Sequence, residues 1–197
     1  NVRLTGTDVT FGSTINDDND GTTPSGLVVN ASGTTTFTGD VGTVSTIDSI
    51  TTDAAGATVI NSGTVTTSLG QTFNDAVTST ANAFNSSAIV FGSTSTFNAA
   101  TTTISTGSAN FVGASDFAGG NAVIDASGDV AFDTTLDVAG TTDFDSANTT
   151  FSGIVTLGDD ATVTTSGNTT FRAVVNGAAT VDLLVEADGT GSFSGGA

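Results

Sequence analysis

Residues 88–171 read AIVFGSTSTFNAATTTISTGSANFVGASDFAGGNAVIDASGDVAFDTTLDVAGTTDFDSANTTFSGIVTLGDDATVTTSGNTTF. Phe recurs through this stretch at Phe91, Phe111, Phe132, Phe151 and Phe171, at intervals of 20, 21, 19 and 20 residues. A second apolar series runs Phe97, Phe117, Leu136, Leu157, and a third runs Ile104, Val123 or Ile124, Phe144, Val163. Most neighbours of these apolar residues are Thr, Ser, Asp or Ala, and the short runs end at Gly, Asn or Asp corners. Three apolar columns that advance together by one period are what a β-solenoid requires. One coil cannot bury its inward face alone and stacks on the next. The fold class expected is all-β: a single parallel β-helix of coils of about 20 residues.

Composition supports extended chain over helix. The chain has 197 residues, with 37% apolar, Phe as its only aromatic, no Lys, no Met and one Glu. Thr, Val, Ile and Phe favour strands, and Gly, Asn and Asp favour turns. Only 11% of residues are charged and the apolar residues are periodic, which opposes a disordered low-complexity reading.

Outside the clean repeat, residues 1–15 alternate apolar and polar at Val2, Leu4, Val9 and Phe11 and read as a first coil. Residues 16–26 (NDDNDGTTPSG) interrupt it with acids, Gly and the only Pro, as a surface loop. Strand-like sequence resumes at Leu27. One solenoid domain over 1–197 with a loop at 16–26 is expected. Nine or ten coils at about 4.8 Å of rise predict a rod on the order of 45 Å long. Neither end shows a capping helix. The chain is therefore read as a mature or excised piece of a longer solenoid, or as copies that stack end to end.

The net charge is −18, with Arg3 and Arg172 the only cations. A phosphate backbone would be repelled, which argues against nucleic acid and against anionic membrane surfaces. No apolar run approaches the roughly 20 residues of a membrane helix. Without Cys there is neither a disulfide framework nor a thiolate metal site. Without His, Cys or Lys the commonest nucleophile–base pairs are missing.

Several constellations deserve weighing. Asp17, Asp18 and Asp20, with Asn16 and Asn19, form the one dense acidic cluster. Oxygen ligands on a Gly-bounded loop suit Ca²⁺, although the spaced loop of an EF-hand is lacking; the alternative is a solvated acidic loop. Calcium is the only cofactor the chain suggests. Asp159-Asp160 and Asp143/Asp145 are weaker calcium candidates whose simpler role is to keep the surface soluble, and Asp133/Asp137 or Asp143/Asp145 are nominal carboxylate pairs for glycoside hydrolysis. No Trp, Tyr, His or Lys accompanies them to hold a sugar, so an enzyme is not expected. Thr34-Thr35-Thr36, Thr101-Thr102-Thr103 and Thr162/Thr164 would suit an ice-binding face only if Thr kept one register on every coil, and a glycan-binding module would need a groove with ordered carboxylates and Phe edges. Asp129, Asn148 and Asn168 each lie three residues before a column Phe, and stacked corners of this kind form a side-chain ladder. Asn30, Asn85, Asn148 and Asn168 also head Asn-x-Ser/Thr sequons.

Val29-Asn30-Ala31-Ser32-Gly33-Thr34-Thr35-Thr36-Phe37 and Gln71-Thr72-Phe73-Asn74-Asp75-Ala76-Val77 carry a resemblance, as does the segment 149–171. They resemble the repeats of large bacterial exoproteins of the filamentous haemagglutinin and adhesin type. The resemblance implies a secreted or cell-surface, right-handed parallel β-helix with structural or adhesive work and no catalytic residues. Two structural readings follow. In one, the chain is a subunit that stacks end to end into an extracellular filament or matrix fibre. In the other, it is an adhesin rod without self-assembly, with a cell-surface or glycan contact.

Overall fold

The computed structural model describes residues 1–18 and 25–195. Among these residues there is no helix; parallel strands wind into a β-solenoid of about eight coils, about 20 residues apart. The higher expected count included the terminal turns. In the first two turns the third side is only the isolated bridge series Ile15, Val41, Val65. In the last turn Val175–Gly177 is largely exposed.

The coils have three faces. The first begins at Val2–Gly6 and Leu27–Ala31 and ends at Thr169–Phe171 and Gly191–Phe193. The second runs from Val9–Phe11 to Val175–Gly177 as a nine-stranded sheet. The third includes Ala83–Ser86, Thr101–Thr106 and Leu183–Ala187. The ten-residue strand Thr64–Phe73 passes through both the third and first faces, and so joins them into one 16-stranded sheet.

Three-residue strands dominate the first two faces, with an in–out–in pattern: Ala109-Asn110-Phe111 and Val130-Ala131-Phe132 bury their first and third residues. Alternation of side chains across a strand produces this directly. Apolar residues or small hydroxyls go in, and Thr, Asn or Asp come out. Each corner is sealed by the coil beneath. The N–H after each column Phe donates to the Phe carbonyl one coil earlier, as from Val112 to Phe91 (2.9 Å), Asp133 to Phe111 (2.9 Å) and Ser152 to Phe132 (2.8 Å).

The core is a set of columns rather than a cluster. Phe91, Phe111, Phe132, Phe151 and Phe171 pair rung on rung. The series also takes in Phe73 below and Phe193 above. Ring centroids are 4.5 Å apart for Phe111–Phe132 and 4.6 Å for both Phe151–Phe171 and Phe171–Phe193, at 8°, 11° and 3° between planes. These are stacked geometries that add to simple burial.

One expected column changes, and another takes one of its two alternatives. Phe117 lies beside Val138 and then Leu157, while Leu136 belongs to the neighbouring inward column after Ser95 and Ser115. Both Leu136 and Val138 are buried, so either satisfied the apolar pattern. In the third face the choice falls on Ile124, which stands between Ile104 and Phe144; Val123 points outward.

Candidate functional site

The corners carry most of the side-chain hydrogen bonding between coils. Asn148 donates its Nδ2 to Asp129 Oδ1 (2.8 Å) and accepts from the Asn168 N–H at its own Oδ1 (2.7 Å). Asn168 Oδ1 accepts from the Thr190 N–H (2.8 Å). The three Asx residues thus form a chain of bonds running along the rod, one link per coil. The same device occurs at other corners. Asp8 accepts from Thr34 N–H, Asp40 from Gly63 and Thr64 N–H, Asn121 from Thr141 N–H and Asp160 from Asp182 N–H, at 2.7–3.0 Å. Asp129, Asn148 and Asn168 stand out in the sequence because they precede successive Phe of the 20-residue repeat; Asp8 has the same spacing to Phe11 but lies outside that repeat. The general signal is an Asx at a turn, whose short side chain can reach the backbone of the next coil. Replacing Asn148 with Ala removes two such bonds at a partly exposed site. A loss of about 1–2 kcal/mol is expected, read as a lower urea midpoint.

The acidic pairs separate. Asp143 and Asp145 both point outward on the third face, and Asp133 lies at an exposed corner. Asp137 stands beside Asp116 on the next rung of the second face. Partial burial, with the like charge of Asp137 added, raises the Asp116 carboxyl above its ordinary 3.8. Asp160 braces Asp182, and Asp159 Oδ1 accepts the Asp160 N–H (2.9 Å).

Outward Thr does not keep one register. The outward column of the second face reads Thr10, Thr36, Val59, Thr78, Thr96, Asp116, Asp137, Thr156, Asn176. Of the sequon residues, Asn148 and Asn168 belong to the corner ladder, and Asn85 donates to Thr66 Oγ1 (3.1 Å).

At the N-terminal end the inward columns surface in an open depression of about 570 Å³, lined by Val2, Leu4, Phe11, Ile15, Leu27 and Ile47. Asp17 and Asp18 stand at its rim. Asn16 Oδ1 accepts from Val44 N–H (2.9 Å), and Asp17 Oδ1 from Ser25 N–H (3.3 Å). Asp20 lies outside the described residues. Among the described residues, no three acidic side chains gather closely enough to hold a metal ion. No helix among them is long and apolar enough to cross a membrane. At the other end Phe193 is 59% exposed while stacked on Phe171. Arg172, which follows Phe171, is exposed on the corner.

One site was not legible as such. Asp75 is 2% exposed and points into the interior. Its carboxyl meets Thr52 Oγ1 at 2.7 Å, and Thr58 Oγ1 approaches Oδ1 at 2.9 Å and Oδ2 at 2.8 Å. In the sequence, Asp75 is one more Asx after a column Phe, and nothing marks it as turned inward.

Compared with known proteins, the chain matches no family model, no curated protein and no solved structure.

Proposed function

We propose that this chain is a structural subunit, a secreted or cell-surface rod that joins copies end to end into an extracellular filament or matrix fibre. The observation that carries the reading is the match between the two terminal rungs. Following each inward column from end to end sets Leu4 opposite Phe193, Phe11 opposite Gly177 and Ile15 opposite Val185. Leu4 would meet the Phe193 ring, Phe11 the open space beside Gly177, and Ile15 the aliphatic Val185, so apolar side chains continue each inward column across the contact. All strands are parallel, so the final rung of one copy pairs with the first rung of the next without reversal. Such a head-to-tail contact does not close and makes filaments. Burying one exposed Phe contributes about 1.5–3 kcal/mol, and new ladder bonds along three faces add direction.

The net charge opposes this contact, because each copy carries −18. Salt shortens the repulsion, with a Debye length of about 10 Å at 0.1 M, and Ca²⁺ at Asp17 and Asp18 would neutralise the rim directly. The extracellular setting rests on the resemblance to exoprotein repeats and on the Cys-free, acidic composition.

Negative-stain electron microscopy with sedimentation tests the reading, in low and high NaCl and with Ca²⁺ or EDTA. Thin unbranched filaments are expected at high salt. Phe193→Asp, which puts a carboxylate on the end of the column, is expected to yield single rods. Uniform short rods from the unaltered chain in every buffer would reject self-assembly and leave the adhesin-type rod.

A further inference from the structure

The interior changes character near Asp75. The inward column of the first face is Phe from Phe73 upward, but below Phe73 it continues as Thr52, Val29 and Leu4. The seam between these two regimes is polar and incompletely paired. The Thr35 hydroxyl, one rung below Thr58 in the same column, has no partner among the described residues. Neither has Oε1 of buried Gln71, whose Nε2 donates to the Val65 and Asn85 carbonyls at 3.1 and 2.9 Å. The strand Ile47–Thr52 also shifts register between Ile47 and Ser49 where it meets Thr64–Phe73.

Asp75 bridges this seam, since its carboxyl belongs to one coil while Thr52 and Thr58 belong to the coil beneath. A hydroxyl has one proton, yet Thr58 Oγ1 lies within bonding distance of both carboxyl oxygens. It can make one full bond, and sharing that proton between both oxygens would weaken each. A neutral carboxyl supplies the second bond by donating its own O–H to Thr58. We propose that Asp75 is held as a neutral carboxylic acid that latches these two coils together, and that its ionisation as pH rises loosens the junction between the N-terminal coils and the Phe-stacked coils.

The surroundings favour the neutral form. Burial pushes the Asp75 carboxyl above its ordinary 3.8, the Asp53 charge adds in the same direction, and the bonds from Thr52, Thr58 and its own backbone oppose them. Asp53, on the corner of the coil beneath, is the charged group acting on it. The matching positions on the coils above and below are Ser93 and Gly56, and neighbouring Asn74 donates to the Thr52 carbonyl; none is charged.

A raised carboxyl pKa fixes the sign. Below 3.8 folded and unfolded chains both hold the proton and the latch is intact. As pH rises from there through the folded-state value, the unfolded chain releases its proton first, and stability falls to a lower plateau. Urea midpoints of the full chain and of Asp75→Asn, measured from below 3.8 to neutral pH, test this. The unaltered chain is expected to lose midpoint with rising pH relative to Asp75→Asn, whose amide cannot ionise. The Asp75 carboxyl ¹³C resonance, assigned by its loss in that variant, is expected to titrate above 3.8. Asp53→Asn should move that titration downward. Parallel midpoints at all pH values, or a carboxyl titrating at or below 3.8, would overturn the latch. If Asp75→Asn fails to fold, the carbon titration in the unaltered chain still decides.

Discussion

Phe132→Ala is expected to destabilise the rod by about 3–5 kcal/mol, the range for emptying a buried aromatic site. Phe132 is 1% exposed and lies between Phe111 and Phe151 in the column, with ring centroids at 4.5 and 5.3 Å. Phe144, from the third face, approaches at 5.6 Å. Truncation removes all three contacts and leaves a void that neighbouring coils cannot fill, because their positions are set by backbone ladders on three faces. In a stacked architecture such a lesion weakens the interfaces above and below at once. Phe193→Ala is the matched comparison. That ring has a single stacked neighbour and is 59% exposed, so a loss under about 1 kcal/mol is expected in the unassembled chain. Urea unfolding followed by far-ultraviolet circular dichroism reads both. Coincident curves for Phe132→Ala and the parent would show that the column does not carry the core.

Gly56→Ala is expected to be nearly as damaging, for a backbone reason. Gly56 has φ +77°, in the left-handed region, which costs an L-residue about 1–2 kcal/mol. A methyl at this corner would also overlap the Gly33 carbonyl oxygen of the coil below and sit 3.0 Å from that of Ala31. Forced repacking costs about 1–3 kcal/mol more, giving about 2–5 kcal/mol in all. Gly70→Ala is the control, since the nearest atom to its added methyl, the Ala88 carbonyl oxygen, is 3.7 Å away in ordinary contact. Its urea midpoint should stay within about 0.5 kcal/mol of the parent. Equal effects at the two glycines would remove close coil approach as the reason for Gly56.

The corner ladder and the buried Asp75 carboxyl differ in how far the primary structure reveals them. Asp129, Asn148 and Asn168 were visible because they keep a fixed distance to a column Phe. Asp40, Asn121 and Asp160 make the same kind of bond without that spacing, and Asp8, three residues before Phe11, stands outside the regular repeat; their role emerges only when the next coil lies over them. Asp75 looks equivalent to these in sequence but turns inward, where Thr52 and Thr58 receive it.

The solenoid class and the Phe column follow from period and composition. Alternation sends Phe inward on a three-residue strand, and a coil with one apolar face must find another like it. The register of the second column does not follow. Phe117 is 19 residues from Leu136 and 21 from Val138, and both face the core. The choice is made at the corner near Gly128, where seven residues separate Ile104 from Phe111 but eight separate Ile124 from Phe132. A corner absorbs one residue without disturbing the strands on either side, because its backbone bonds reach the coil beneath rather than its own neighbours in sequence. Pattern along the chain therefore specifies that coils stack, while the path of each corner over the one beneath decides which side chain lies on which.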